Sequence, residues 1–220
     1  MNLWQDCLTN RGLPIGKWAH YFPIYERHLL PWRNKDIFVL EIGVAGGGSA
    51  QMWNRFFGPR AKVVGIDIDP KCAEHEHFGV SIRIGDQSDP NFLQKIIDEF
   101  GCPDIVIDDG SHRMEHVLAT FQFLYPKVPK NGVYFVEDMH TSYWPGYGGG
   151  VNEASSFINV SKHFVDQLNA NWDQSGQLKP DLITNQTYSI SFYDSVVVFE
   201  KGGVRTREAP VVGQGYSTPV

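Results

Sequence analysis

Two periodicities alternate along the chain. Short runs in which almost every position is apolar occur at Phe38-Val39-Leu40-Glu41-Ile42, Lys62-Val63-Val64-Gly65-Ile66-Asp67 and Val80-Ser81-Ile82-Arg83-Ile84. Two more follow, at 104–108 (Asp-Ile-Val-Ile-Asp) and 133–137 (Val-Tyr-Phe-Val-Glu). Between them, apolar residues recur three or four apart in Ser49 to Phe57, Asn91 to Phe100 and Met114 to Leu124. Strand-length apolar runs separated by amphipathic helices predict βαβ units, hence an α/β protein with a parallel, doubly wound sheet. After a further helical stretch, Ser155 to Leu168, the rhythm changes. Tyr188 to Phe192 and Val196 to Phe199 flank Asp194-Ser195 and predict an antiparallel hairpin that closes the sheet. Ahead of the first strand, Trp18, Tyr21, Tyr25 and Leu29 predict a helix on the core that starts or kinks at Pro23. Residues 202–220 carry two prolines, several glycines and no period, and are expected to form an extended tail ordered by a partner subunit. The chain thus divides into a helical segment (1–35), one catalytic-sized domain (36–201) and the tail (202–220).

Composition narrows the classes. With 220 residues, 42% hydrophobic and 20% charged, the chain has an ordinary globular balance, which excludes disordered and fibrous classes. A formal charge of −6 argues against a broad grip on nucleic acid or an anionic membrane. No apolar run reaches the roughly 18–20 residues of a membrane span, and the start lacks a signal-peptide pattern. Cys7, Cys72 and Cys102 are scattered and odd in number, so the expectation is a reduced cytoplasmic protein without a disulfide framework or a cysteine zinc site.

The chemistry gathers at the carboxyl ends of the strands. Glu41-Ile42-Gly43-Val44-Ala45-Gly46-Gly47-Gly48-Ser49 leaves the first strand and opens a helix, so its backbone can approach a ligand closely. The dinucleotide spacing G-x-G-x-x-G is absent because Glu41 stands where a glycine is needed, and an acid there suits a cationic or amine-bearing ligand. Asp67 ends the next strand 24 positions after Gly43, near the offset at which a carboxylate meets ribose hydroxyls. Asp69 before Pro70 reads as a helix cap. Asp86 follows the third strand and can reach an adenine amino group, while Asp89 before Pro90 reads equally as a cap.

Asp108-Asp109-Gly110-Ser111-His112 and Glu137-Asp138-Met139-His140 end the fourth and fifth strands. Neighbouring strands lie about 4.8 Å apart, so four carboxylates converge, which is costly unless a cation joins them or one stays protonated. An all-oxygen set suits Mg²⁺ or Mn²⁺. His112, on the same loop, is placed to take a proton from a hydroxyl. His112 and His116 have the i, i+4 spacing of a zinc pair but lack the H-E-x-x-H form. The remaining histidines, His20, His28, His75, His77 and His163, read as surface or satisfied core residues. His140, Tyr143, Trp144 and Tyr147, in a loop ending Gly148-Gly149-Gly150, read as a substrate lid with aromatic faces suited to flat or sugar rings.

Taken together, LEIGVAGGGS, GIDIDP, GDQSD, IDDGSH and EDMHTSYW, in this order, resemble class I S-adenosylmethionine (SAM)-dependent methyltransferases with a Rossmann-like sheet. They are most similar to the metal-dependent sugar O-methyltransferases of macrolide pathways, over about Lys17 to Lys201. The resemblance implies SAM held by Gly43 and its loop, with Asp67 on the ribose and Asp86 near the adenine. Glu41, Gly46, Gly47, Ser49 and Asp108 are assigned to the same cofactor site. It further implies Mg²⁺ on Asp109, Glu137 and Asp138, with His112 as general base. The expected partner is a small hydroxylated acceptor, a glycoside, with a homo-oligomeric assembly. Enzymes of this type can carry an additional N-terminal domain, so the acceptor sugar is not carried over. Three rivals stand beside this reading: a catechol O-methyltransferase, an NAD(P) or flavin oxidoreductase, and a non-catalytic SAM-binding subunit.

Overall fold

The computed structural model describes residues 2–77, 79–202, 209 and 211–213. Seven strands form one sheet: β1 (Ile37–Ile42), β2 (Ala61–Asp67), β3 (Val80–Ile84), β4 (Ile105–Asp108), β5 (Val133–Val136), β6 (Thr187–Tyr193) and β7 (Val196–Lys201). The order is β3-β2-β1-β4-β5-β7-β6. β1 to β5 pair in parallel, while β7 enters antiparallel between β5 and the edge strand β6. This is the doubly wound, mostly parallel Rossmann-like sheet with a C-terminal hairpin that the alternating pattern predicts.

Helices cover both faces, because the central strands are apolar on both. Alternate residues go to opposite sides. Ile37, Val39, Ile105, Ile107, Val133 and Phe135 pack on one face with Trp53 and Phe57 of α3 (Gly48–Phe57) and Tyr25 and Leu29 of α2 (Phe22–Leu29). The short helix α1 (Leu3–Leu8) adds Leu3 to the same face. Phe38, Leu40, Val106, Tyr134 and Val136 pack on the other. There they meet α4 (Pro90–Phe100), α5 (Met114–Leu124) and α6 (Phe157–Leu168), and α7 (Leu182–Gln186) adds Ile183. Phe121 of α5 is a hub of this second core, stacked on Tyr125 at 4.6 Å and 12° and touching Tyr134, Phe157 and Phe199. A buried side chain of that size contributes about 1.5–3 kcal/mol by leaving water.

The caps agree with the sequence. Asp89 accepts from the Asn91 N–H ahead of α4, and Asp69 accepts from the Lys71 N–H at a 3-10 turn. α2 starts at Phe22 with Pro23 in its first turn, which settles start against kink. Trp18 is a correction: it lies before the helix and is half exposed rather than on the core, because the spacing of three and four continues past the point where the helix begins. The tail expected over 202–220 falls largely outside the described residues. Among the described residues, no helix is long and apolar enough to cross a membrane.

Candidate active site

The strand ends bring the predicted loops together. Ile42 pairs with Asp108 and Asp108 with Val136, and the ladder runs on as Asp109 N–H donates to Ile42 O and Glu137 N–H to Asp108 O, both 2.9 Å. A cavity of about 400 Å³ opens over this edge. Its lining includes Gly43, Asp67 and Asp86 on one side and Asp109, His112 and Asp138 on the other.

The first side is made by backbone. Gly43 has φ +90°, and a Cβ there would sit 2.1 Å from Asp109 O, so only glycine lets the first loop pass the fourth. Asp67 Oδ2 accepts from Val44 and Ala45 N–H at 2.8 and 3.0 Å, and its Oδ1 from Asp69 N–H at 2.9 Å. Burial alone would raise this carboxyl, but those backbone donors outweigh it and hold it below its usual range. Asp86 accepts from both the N–H and the hydroxyl of Ser88, which lowers it too.

Other residues assigned to the cofactor lie behind this wall. Gly46 and Gly47 pack under Pro14 and Leu13. Glu41 is fully buried, accepts from Trp53 Nε1 at 2.9 Å and has the buried Ser49 among its partners. The amine that meets Glu41 is the chain's own: Lys17 Nζ lies 3.5 Å away. Asp108 is also buried and accepts from Gln87 Nε2 at 3.1 Å. Gln87 in turn donates to Thr120 Oγ1 at 3.0 Å and accepts from Ser111 N–H at 2.7 Å. Asp108 and Gln87 therefore shape the fourth loop from behind. Sequence reasoning missed Gln87, although it stands next to Asp86 in the same loop.

The second side is made by charge. Lys17 Nζ donates to Asp109 Oδ2 at 2.7 Å and Glu137 Oε2 at 3.0 Å, in a pocket that leaves its side chain 2% exposed. Burial opposes the ammonium, yet three carboxylates hold its pKa well above the ordinary value. Burial pushes Glu137 and Glu41 up even with Lys17 beside them, and pushes Asp108 up to about 7. The second oxygens of Glu41, Asp108 and Glu137 are buried as well, and what they have beside them are hydroxyls: Ser49 for Glu41, Tyr134 for Asp108 and Tyr25 for Glu137.

Asp138 takes a left-handed backbone conformation at φ +53° and accepts from Tyr21 Oη at 2.6 Å. His112, also left-handed at φ +56°, sets Nε2 3.6 Å from Asp138 Oδ2 and 4.0 Å from Asp109 Oδ1. Strained non-glycine residues of this kind persist where surrounding contacts over-determine them. Ligand atoms of Asp109, His112 and Asp138 all lie within 4.8 Å of one another, whereas Glu137 faces Lys17. His116 sits on α5 and meets Ser111 Oγ at 3.1 Å, while His112 precedes the helix, so the two do not form a zinc pair on one helical face.

The glycine-rich loop after β5 is folded into two 3-10 turns, Met139–Tyr143 and Pro145–Tyr147, tied by Gly149 N–H to Trp144 O and Gly150 N–H to Ser142 O. His140 is anchored by Ser195 Oγ, 2.6 Å from its Nδ1. Its ring lies 4.7 Å from Trp144, which lies 5.7 Å from Tyr147, and Trp18 closes the row at 6.1 Å from His140. Tyr143 is exposed beside this row.

The sheet and its carboxyl-edge loops define a Rossmann-like methyltransferase fold. No protein-family profile matches the chain. It is nevertheless homologous over most of its length to macrolide and sugar O-methyltransferases. It is 38% identical over 210 residues to demethylmacrocin O-methyltransferase of Streptomyces fradiae, covering 89% of this chain and 52% of that protein. With mycinamicin VI 2''-O-methyltransferase of Micromonospora griseorubida it shares 37% over 195 residues, 83% of this chain and 48% of the other. The solved MycE methyltransferase of the mycinamycin pathway, in complex with Mg, SAH and mycinamycin VI, superposes with a TM-score of 0.81 at 34% identity. That match covers 93% of this chain and 55% of MycE. The chain spans about half the length of the curated relatives it matches.

Proposed function

We propose that the chain is a Mg²⁺-dependent O-methyltransferase that moves the methyl of SAM to a hydroxyl of a sugar in a natural product or glycan, with His112 as general base. The observation that carries this reading is the single cavity with Gly43, Asp67 and Asp86 at one side and Asp109, His112 and Asp138 at the other. The acidic side fits a divalent cation: Asp109 and Asp138 offer hard oxygen donors to the cavity, and Glu41, Asp109 and Glu137 share one ammonium, that of Lys17, which leaves an excess of negative charge. Asp109 and Asp138 would hold the ion; Glu137, the third expected ligand, has one oxygen on Lys17 at 3.0 Å, and Mn²⁺ suits the same donors. Magnesium, when bound, lowers the pKa of the acceptor hydroxyl, and SAM supplies the electrophilic methyl group.

The chain's own residues do the rest. Gly43 lets the loop backbone close on the cofactor, Asp67 faces the ribose and Asp86 the adenine. His112 Nε2, steered by Asp109 and Asp138, removes the proton from the acceptor hydroxyl. The aromatic row of His140, Trp144 and Tyr147, with Tyr143 beside it, offers apolar faces to a sugar ring and aligns the hydroxyl with the methyl donor. A glycoside acceptor is supported by what the relatives are named for. A cytoplasmic site of action is supported by free Cys7, Cys72 and Cys102, and a homo-oligomer by exposed Tyr188 and Phe192 on the edge strand β6.

The test is calorimetric titration of SAH, and separately NAD⁺, followed by methyl transfer from labelled SAM to panels of rhamnosides and catechols with Mg²⁺ or EDTA. SAH binding with Mg²⁺-dependent labelling of a glycoside is the expected result. Labelling of catechols alone replaces the acceptor class, SAH binding without transfer to either panel favours a SAM-binding subunit, and NAD⁺ binding without SAH binding overturns the reading.

A further inference from the structure

The proposed chemistry gives no role to Lys17, yet no side chain near the site is held by more charge. It lies in the segment between α1 and α2, and that segment is itself pinned. Leu13 N–H donates to Gln51 Oε1 at 3.2 Å, Asn10 Nδ2 to Leu13 O at 2.8 Å, and Leu13 and Pro14 press on Gly46 and Gly47. The ammonium therefore arrives at a fixed place. There it donates to Asp109 at 2.7 Å and Glu137 at 3.0 Å, and a third carboxylate, Glu41, stands 3.5 Å away. A buried ammonium persists only with such compensation.

Lys17 divides the acidic cluster in two. Glu41, Glu137 and Oδ2 of Asp109 form an inner half around its Nζ. Oδ1 of Asp109, Asp138 and His112 form an outer half that lines the cavity. Asp109 belongs to both, with one oxygen turned each way.

We propose that Lys17 is a tethered counter-ion that fills the inner half of the acidic cluster, fixing the Asp109 and Glu137 carboxylates and confining a divalent cation to one weakly held, exchangeable place in the outer half. It is a positioning residue: it acts through Asp109 and Glu137. The ammonium shares Asp109 with the cation and repels it, and so weakens the outer site. This inference rests on the reading that a divalent cation binds beside Asp109.

The experiment is an electron paramagnetic resonance titration of Mn²⁺ into the metal-free full chain, wild type and Lys17→Met, with circular dichroism to verify the fold. Wild type should bind one Mn²⁺. Lys17→Met should bind Mn²⁺ at least about tenfold more tightly, or take up a second ion, because the inner half is left with uncompensated charge. Equal or weaker binding in folded Lys17→Met overturns the proposal. A second measurement uses wild type alone and decides the matter if the variant does not fold. The ¹⁵Nζ resonance of a buried, salt-bridged lysine ammonium, distinct from those of exposed lysines, should keep its shift as Mg²⁺ saturates the site. Its collapse onto the exposed-lysine signals means that the ion displaces Lys17, and the proposal fails. If wild type binds no Mn²⁺, the metal reading itself falls, an outcome separate from an unresponsive Lys17→Met.

Discussion

Carboxylates on and behind the walls of one cavity live in opposite conditions. Asp67 and Asp86 sit among backbone and hydroxyl donors supplied within a few residues or by the adjoining loop, and both are held below their ordinary range. Asp108 and Glu137, behind the loops that carry Asp109 and Asp138, are fully buried, and burial raises both. The first side is a finished surface, with charge satisfied and geometry fixed by the chain. The second is short of positive charge even with Lys17 inside it. On the proposed reading, recognition falls on one side and demand for a cation on the other, within a site whose loops all leave the same sheet edge.

The sharpest way to break this comparison is at His112, which belongs to the demanding side but is charged with the reaction. His112→Ala should lower turnover on a glycoside by about 10²–10⁴-fold. SAH affinity, measured by calorimetry, should stay within about threefold, because the cofactor side does not use the ring. Parallel loss of both would mean that the two sides are not separable. The next test reads the charge imbalance through pH. The Asp108 carboxyl is raised to about 7 in the folded state, above its ordinary value. The folded protein therefore holds this proton more tightly, and stability falls as pH rises from about 4 to about 7, by roughly 4 kcal/mol in all. Asp108→Asn should remove this group's share of the pH dependence of urea unfolding, leaving the separate shares of Glu137 and Glu41, and should be the more stable protein above pH 7. Asp67→Asn should do the reverse: it destabilises at neutral pH, and the deficit shrinks as pH drops below about 4. The same slope in both variants would erase the distinction between the two sides.

Smaller still is the effect expected on the metal. Asp109→Asn should weaken Mn²⁺ binding by roughly 10–100-fold, the range lost even when a supporting partner of a metal site is removed. Unaltered binding would move the ion elsewhere.

Much of this was legible before the structure. β-branched runs separated by helical periods dictate the sheet, and the sheet dictates that Asp108-Asp109 and Glu137-Asp138 meet, since parallel neighbours end at the same edge. Local chemistry was legible too: Asp69 and Asp89, each directly before a proline, cap the helical turns that begin there. What escaped is what depends on distance along the chain without periodicity. Lys17 lies 92 residues from Asp109 and 120 from Glu137, in a segment with no repeating pattern. Glu41 suggests an amine-bearing ligand, and the amine beside it in the fold is Lys17; nothing local distinguishes a ligand's amine from a lysine returning from an earlier loop. Gln87 was overshadowed by its acidic neighbour, and its three contacts with Asp108, Thr120 and Ser111 arise only once α5 packs beside β4. Trp18 misled because a spacing of three or four says nothing about where a helix starts.

Trp18 is also the residue that extends the aromatic row of the loop after β5, and the row gives the smallest and most selective test. Trp144 is 48% exposed, so Trp144→Ala removes little buried surface and should change unfolding stability by no more than about 0.5–1 kcal/mol. It packs on His140 with the rings inclined at 61°, and Ser195 holds that histidine in place, so the indole is presented at a fixed angle. Removing the indole should raise KM for a glycoside acceptor several-fold, while kcat and SAH affinity stay near wild type, because binding that is equal in ground and transition states appears in KM alone. Trp18→Ala should give a smaller change of the same kind, being farther along the row. A fall in kcat without a change in KM would show that the row orders His112 or Asp138 rather than meeting the acceptor, and the aromatic rim would then belong to the charged side of the cavity.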